Sequence, residues 1–185
     1  MNRTRRVRLR RILSNLVVAL PLVAGVGLVA YQRVAGVAPP AELGIKPGDL
    51  APEVQLEDAR GEAVSLATLL DGRPTLLMVV HPICGPCDRE LEALAEVRAR
   101  PGGALPFRLL VLSLGTAPET GALRGRVADF PVYRDFAGVL YSRDRVRTPP
   151  VLLFVDAEGN VRQVRTGAQG ARALRAALSD DWWSL

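Results

Sequence analysis

Leu76-Leu77-Met78-Val79-Val80-His81-Pro82-Ile83-Cys84-Gly85-Pro86-Cys87, continued by Asp88-Arg89-Glu90-Leu91, is the stretch from which the architecture can be read. An uncharged apolar run enters a short turn that carries the only two cysteines of the chain, and a helix-forming segment follows at once. A run apolar at every position is the pattern of a strand covered on both faces. A cysteine at the first turn of a helix faces unpaired N–H groups and the positive end of the helix dipole, and both favour thiolate over thiol. Such sites bring a thiol from a pKa near 8.5 to about 3.5–7.5. Pro82 biases the approach toward extended backbone, Gly85 leaves the Cys84 side uncrowded, and Pro86 sits where a first helical turn tolerates a missing N–H. Cys87, three positions beyond Cys84, shares its helical face and lies within reach of a disulfide. Cys87 also opens an apolar stripe through Leu91, Leu94 and Val97, so it is expected buried, with Cys84 exposed at the tip. Cys84 is then the attacking sulfur and Cys87 the resolving one. The acids that follow, Asp88, Glu90 and Glu92, read as a solvated helix face.

Upstream, Ile12 to Tyr31 is 20 residues long, mostly apolar and without charge. At 1.5 Å per residue it spans about 30 Å, the thickness of a bilayer core. Six arginines precede it, at positions 3, 5, 6, 8, 10 and 11, and the positive-inside rule puts them in the cytoplasm. The expectation is a basic tail over 1–11, a transmembrane anchor over 12–31, a linker over 32–43, one domain over 44–180 and a short tail over 181–185. A cleaved signal peptide is the rival for 12–31. Its apolar region usually runs about 7–15 residues, and Arg33 sits awkwardly before a cut near Val34-Ala35-Gly36. Either way the body is exported, so the expected location is the cytoplasmic membrane, with the domain in the periplasm or outside.

The net charge of +5 is concentrated at the start. Seven of the 24 basic residues lie before Val34, which leaves 17 basic against 19 acidic residues for the rest. The body is therefore not a basic nucleic-acid binder, and the bilayer is the partner expected for the basic, apolar start. Two cysteines in an oxidising compartment could form a structural staple. A loop closed over two residues contributes little through chain entropy, so a redox role explains the tight pair better.

Downstream and upstream of the motif the elements alternate. Glu53 to Glu57 and Ala63 to Leu66 make a hairpin around Asp58-Ala59-Arg60-Gly61. Ser65 caps a short helix through Leu70. Thr75 to Val80, Phe107 to Leu112 and Val151 to Val155 are buried strands, and the helix from Cys84 ends near Arg100. Thr116 starts a helix with Leu123 and Val127 on its inner face. Pro131 to Tyr133 is a short strand, Asp135 to Tyr141 a helical turn, Asp156 to Asn160 a hairpin turn, Val161 to Arg165 an edge strand and Gln169 to Leu178 a final helix. This is an α/β chain with a mixed central sheet between helical layers. Arg147-Thr148-Pro149-Pro150 precedes the third buried strand. Proline is allowed at a strand's first residue. Local sequence leaves two readings open, a cis bond at Pro149 or an ordinary double-proline turn.

Cys84-Gly85-Pro86-Cys87 after a buried strand, with Thr148-Pro149 opening a later one, resembles the thioredoxin superfamily over about Gly44 to Leu178. The resemblance implies a thioredoxin-like sheet with an N-terminal β-hairpin extension and a helical insertion. It also implies a cis proline facing the disulfide at Pro149, and a neighbour, Thr148, whose backbone holds the substrate chain as an added strand. The leading hairpin, the insertion over Thr116 to Tyr141 and the phrase from Pro150 to Gly159 are similar to the membrane-tethered branch. Its members serve cytochrome c or methylamine dehydrogenase maturation. Three positions depart from thioredoxin: Met78 stands for its buried aspartate, Ile83 for its tryptophan and Glu92 for its helix-kinking proline. Ile83 then gives the substrate an apolar rim.

The expected activity is thiol–disulfide exchange with client protein thiols and disulfides, with no cofactor, no metal and a membrane redox partner. His81, the only histidine, reads either as a proton shuttle or as a strand-end histidine satisfied by a nearby carbonyl. Two other functions compete. Copper binding would use Cys84, Cys87 and His81, although the copper carriers with related folds space their cysteines differently. A peroxiredoxin-like peroxidase would want a threonine where Ile83 stands.

Overall fold

In the computed structural model of the chain, residues 43–99, 105–127, 129–144 and 146–179 are described. The expected anchor over 12–31 and the Trp182-Trp183 pair lie outside them. Among the described residues no helix is long and apolar enough to cross a membrane.

Seven strands form one sheet: β1 (Gln55–Glu57), β2 (Ala63–Ser65), β3 (Thr75–Val80), β4 (Arg108–Ser113), β5 (Val132–Arg134), β6 (Val151–Val155) and β7 (Val161–Thr166). Five helices accompany them: α1 (Leu66–Leu70), α2 (Gly85–Arg98), α3 (Ala117–Arg126), α4 (Val139–Ser142) and α5 (Gly170–Ser179). The spatial order is β2-β1-β5-β4-β3-β6-β7. β3 pairs in parallel with β4, and β4 with β5, while β6 runs antiparallel to β3 and β7 antiparallel to β6. The expected mixed sheet with flanking helices is present, hairpin and helical insertion included.

All six residues of β3 and all five of β6 are buried, as expected of strands covered on both faces. Alternation sends Leu76, Met78 and Val80 with Leu152 and Phe154 toward α2, α3 and α5. Leu77, Val79, Leu153 and Val155 pack on the other side with Leu66, Leu70 and Leu140 of α1 and α4 and with Leu56 of the hairpin. The hairpin is tied to β5 by Arg134, whose guanidinium Nε lies 3.0 Å from Glu57 Oε1. That hydrogen bond holds the Glu57 carboxyl below the usual glutamate range. Ser65 caps α1 as expected, accepting the Thr68 N–H at 3.2 Å.

Register places the site. Val80 aligns with Ser113 and Val79 with Val151, so the loops after β3 and β4 and the loop before β6 converge at one end of the sheet. Gly115, in the loop after β4, lies so close to the loop after β3 that a Cβ there would stand 2.5 Å from Pro82 Cγ. The two loops can touch because residue 115 has no side chain.

Candidate active site

β3 delivers the chain to His81, and α2 begins at Gly85 with Cys84 as its N-cap in extended conformation. The Cys87 N–H is shared between the Cys84 carbonyl at 2.9 Å and Cys84 Sγ at 3.2 Å, so the sulfur sits where a serine or aspartate oxygen accepts in ordinary caps. Cys84 and Cys87 are joined as a disulfide, with 5.2 Å between their Cα atoms. Cys87 is buried, as the apolar stripe predicts, beside Leu91 and Leu94. Cys84 is half-buried and is the accessible sulfur of the pair.

Two side chains brace the motif. Arg126 of α3 donates to the Pro82 carbonyl at 2.7 Å and to Asp88 Oδ1 at 3.0 Å, so one guanidinium holds the chain on both sides of the cysteines. Ile83 is 77% exposed, which leaves a large apolar side chain in solvent next to the reactive sulfur. His81 is half-buried, and its Nδ1 lies 3.5 Å from the Ile83 N–H. On α3, the Glu119 carboxyl is held below the usual range chiefly by the Thr116 backbone N–H. Among the described residues, no three histidine, cysteine or acidic side chains gather as a metal donor set.

The cis bond lies between Pro149 and Pro150, one residue later than expected at Pro149. Contacts place the two prolines differently. The Pro150 carbonyl accepts the Gly167 N–H at 2.8 Å and so joins the β6–β7 hairpin, whereas the Pro149 carbonyl oxygen lies 3.6 Å from Cys84 Sγ. The residue that meets the disulfide just before the cis proline is therefore Pro149, not Thr148. Thr148 is exposed on the same segment.

Glu90 corrects a second expectation. Instead of facing solvent with Asp88 and Glu92, it is fully buried. Its Oε2 accepts the backbone N–H groups of Gln169 at 2.8 Å and Gly170 at 3.0 Å, which caps the start of α5. Its Oε1 is buried without a hydrogen-bond partner among the described residues. Glu90 follows Cys87 by three positions on α2, a spacing that puts their Cβ atoms about 5–6 Å apart on one face. A signal was present: position 90 falls beside the stripe of Cys87, Leu91 and Leu94.

A family model described as AhpC/TSA matches residues 47–164, well over half of the chain. The chain belongs to the AhpC/TSA family. Solved structures agree on the thioredoxin-like fold of this AhpC/TSA member. A thio-disulfide isomerase from Thermus thermophilus is 25% identical, with a TM-score of 0.54, covering 72% of this chain and 95% of that one. The thioredoxin domain of a thiol-disulfide oxidoreductase from Bacteroides vulgatus is 17% identical at a TM-score of 0.57, covering 74% and 98%. A thiol:disulfide interchange protein of the thioredoxin family from Chlorobium tepidum is 19% identical at 0.54, covering 72% and 98%. No protein of curated function matches in sequence. Within the AhpC/TSA family, then, this chain has the fold of thiol–disulfide oxidoreductases.

Proposed function

We propose that the chain is a membrane-anchored thiol–disulfide oxidoreductase that exchanges its Cys84–Cys87 pair with disulfides of client proteins outside the cytoplasm. The observation that carries this reading is the seat of Cys84: an accessible sulfur at a helix start, met by the Cys87 N–H, with its exchange partner one turn inside. When the pair is reduced, that N–H and the helix dipole favour the Cys84 thiolate. The thiolate attacks one sulfur of a client disulfide, a mixed disulfide forms, and the other client sulfur leaves as a thiolate. Cys87 then loses its proton and attacks Cys84 Sγ, and the first client sulfur leaves. The client gains two electrons and the chain ends as the disulfide seen here. A dithiol reductant, membrane-held in this reading, must return it to the dithiol.

Chain-specific residues serve these steps. Glu90 is the buried carboxylate of α2, one turn from Cys87, and its Oε1, without a partner among the described residues, is suited to take the Cys87 proton, the task for which Met78 offers nothing. Pro149 presents its carbonyl to the exchange point but has no N–H, so a client strand laid there donates to Pro149 without receiving a bond from it. Ile83 supplies apolar contact, and Thr148 borders the same lip. The tether over 12–31 rests on its length and on the six arginines before it. Cytochrome c or methylamine dehydrogenase maturation is the setting that the sequence resemblance favours.

The test is trapping by the full-length chain. Cys87→Ser should accumulate disulfide-linked client through Cys84, and Cys84→Ser should not. Equal trapping by both variants would overturn the assigned roles. A reduced chain that consumes hydrogen peroxide and leaves disulfides untouched would overturn the function in favour of a peroxidase.

A further inference from the structure

We propose that the surface around Cys84 selects acidic client segments, with Arg89 and Arg147 recognising carboxylates on the two sides of the client cysteine. This deepens the oxidoreductase reading and rests on it. Arg89 projects from the exposed face of α2 and folds back along the helix. Its Nη1 comes within 3.8 Å of where a Cβ on Gly85 would stand, beside the residue that follows Cys84. Arg147 is exposed two residues before Pro149, whose carbonyl oxygen touches the same sulfur at 3.6 Å. Its guanidinium carbon lies 5.1 Å from the ring centroid of Tyr141, a contact that orients the cation without neutralising it. Among the described residues neither arginine has a carboxylate partner.

The other charges near the motif are already matched or point elsewhere. Arg126 holds Asp88, Arg134 holds Glu57, and Arg143 holds Asp144. Glu90 is buried, Glu119 is engaged by Thr116, and Glu92 opens on the cleft between α2 and α3. Two guanidiniums without a carboxylate partner among the described residues therefore belong to the two segments that meet the accessible sulfur, one on α2 beside Gly85 and one on the lip before β6. Exposed Ile83 immediately precedes Cys84, and Tyr141 is 48% exposed beneath Arg147. The occupant that fits is an extended segment with apolar character at its cysteine and aspartate or glutamate close by on both sides. At about 3.3 Å per residue, the carboxylates belong within about three residues of that cysteine. Exposed charges of this kind act mainly on encounter and selection, and salt weakens them.

The probes are three peptides that differ only in the residues flanking one cysteine, which are aspartate, asparagine or lysine. Each cysteine is held in a mixed disulfide with the same small neutral thiol. The reduced full-length chain in neutral detergent is reacted with each, and every rate is divided by that of a small neutral dithiol with the same peptide. That ratio cancels the peptide's own reactivity. At low salt the aspartate peptide should react about tenfold faster than the lysine peptide, falling to about twofold or less near 0.5 M salt. Arg89→Gln and Arg147→Gln should each narrow the preference, and together should bring it near unity. Arg73→Gln, at the opposite end of β3, should leave it in place. Equal rates for the three peptides, or a preference for lysine, would sink the acidic-client proposal while leaving the oxidoreductase reading intact. A folded, reduced chain that reacts with none of them would sink that reading itself.

Discussion

Two helices begin at the same end of the sheet, and their starts are finished with different chemistry. At α3 the Thr116 N–H and hydroxyl both donate to Glu119 Oε2 at 2.8 Å, so a fixed negative charge occupies the positive end of the helix. At α2 the cap is a sulfur, uncharged while the disulfide stands, and the first acid beyond it, Asp88, is turned toward Arg126. The α3 start is stabilised whatever the redox state of the cysteines. The α2 start carries no charge on its cap in the oxidised chain, and reduction supplies an anion there. On this view the interaction that stabilises the helix start is also the one that activates the nucleophile.

A third helix start gives the largest expected effect. α5 is capped by Glu90 from α2, so Glu90→Ala leaves two N–H groups without partner and opens a hole in a buried site. A loss of about 3 kcal/mol in unfolding free energy by urea titration is expected. Glu90→Gln keeps an acceptor at the cap but removes the charge. It should slow release of a mixed disulfide by Cys87 about tenfold without slowing alkylation of Cys84. Slowing of both steps alike would mark Glu90 as a structural cap only.

Giving α2 the finish that α3 has comes next in size. Gly85→Asp meets only the flexible end of Arg89 and places a carboxylate beside the sulfur. The Cys84 thiol should then titrate up to about one unit higher in a pH series of alkylation rates. An unchanged profile would separate the reactivity of Cys84 from the helix start. The converse change at α3, Thr116→Ala, should cost about 1 kcal/mol and leave Cys84 alkylation as it was. The Glu119 carboxyl titrates below the usual range when folded, so its contribution is complete above the ordinary glutamate value and fades as pH falls through the folded one. Stability curves of wild type and Glu119→Gln should accordingly converge in acid.

β3 and β6 could be bounded to the residue from sequence because a strand buried on both faces is apolar at every position. The cysteine motif was equally plain, since its residues act through local backbone geometry. What escaped depends on distant partners. Glu90 reads as a surface acid because its reason for burial, the start of α5, lies about eighty positions further along. The two prolines before β6 are indistinguishable locally. They differ only because Gly167 takes the carbonyl of one and Cys84 meets the carbonyl of the other. Arg126 falls in the same class: nothing around it in sequence announces that it brackets the motif from another helix.

The contact between Gly115 and Pro82 means that the position of the sulfurs is governed in part by a buried glycine outside the cysteine motif. Even a methyl group at 115 would lever the turn away from β4 and shift the lead-in to Cys84. Chemistry at this helix start is therefore open to adjustment from the neighbouring loop, by changes of shape alone, with every residue of the cysteine motif left untouched.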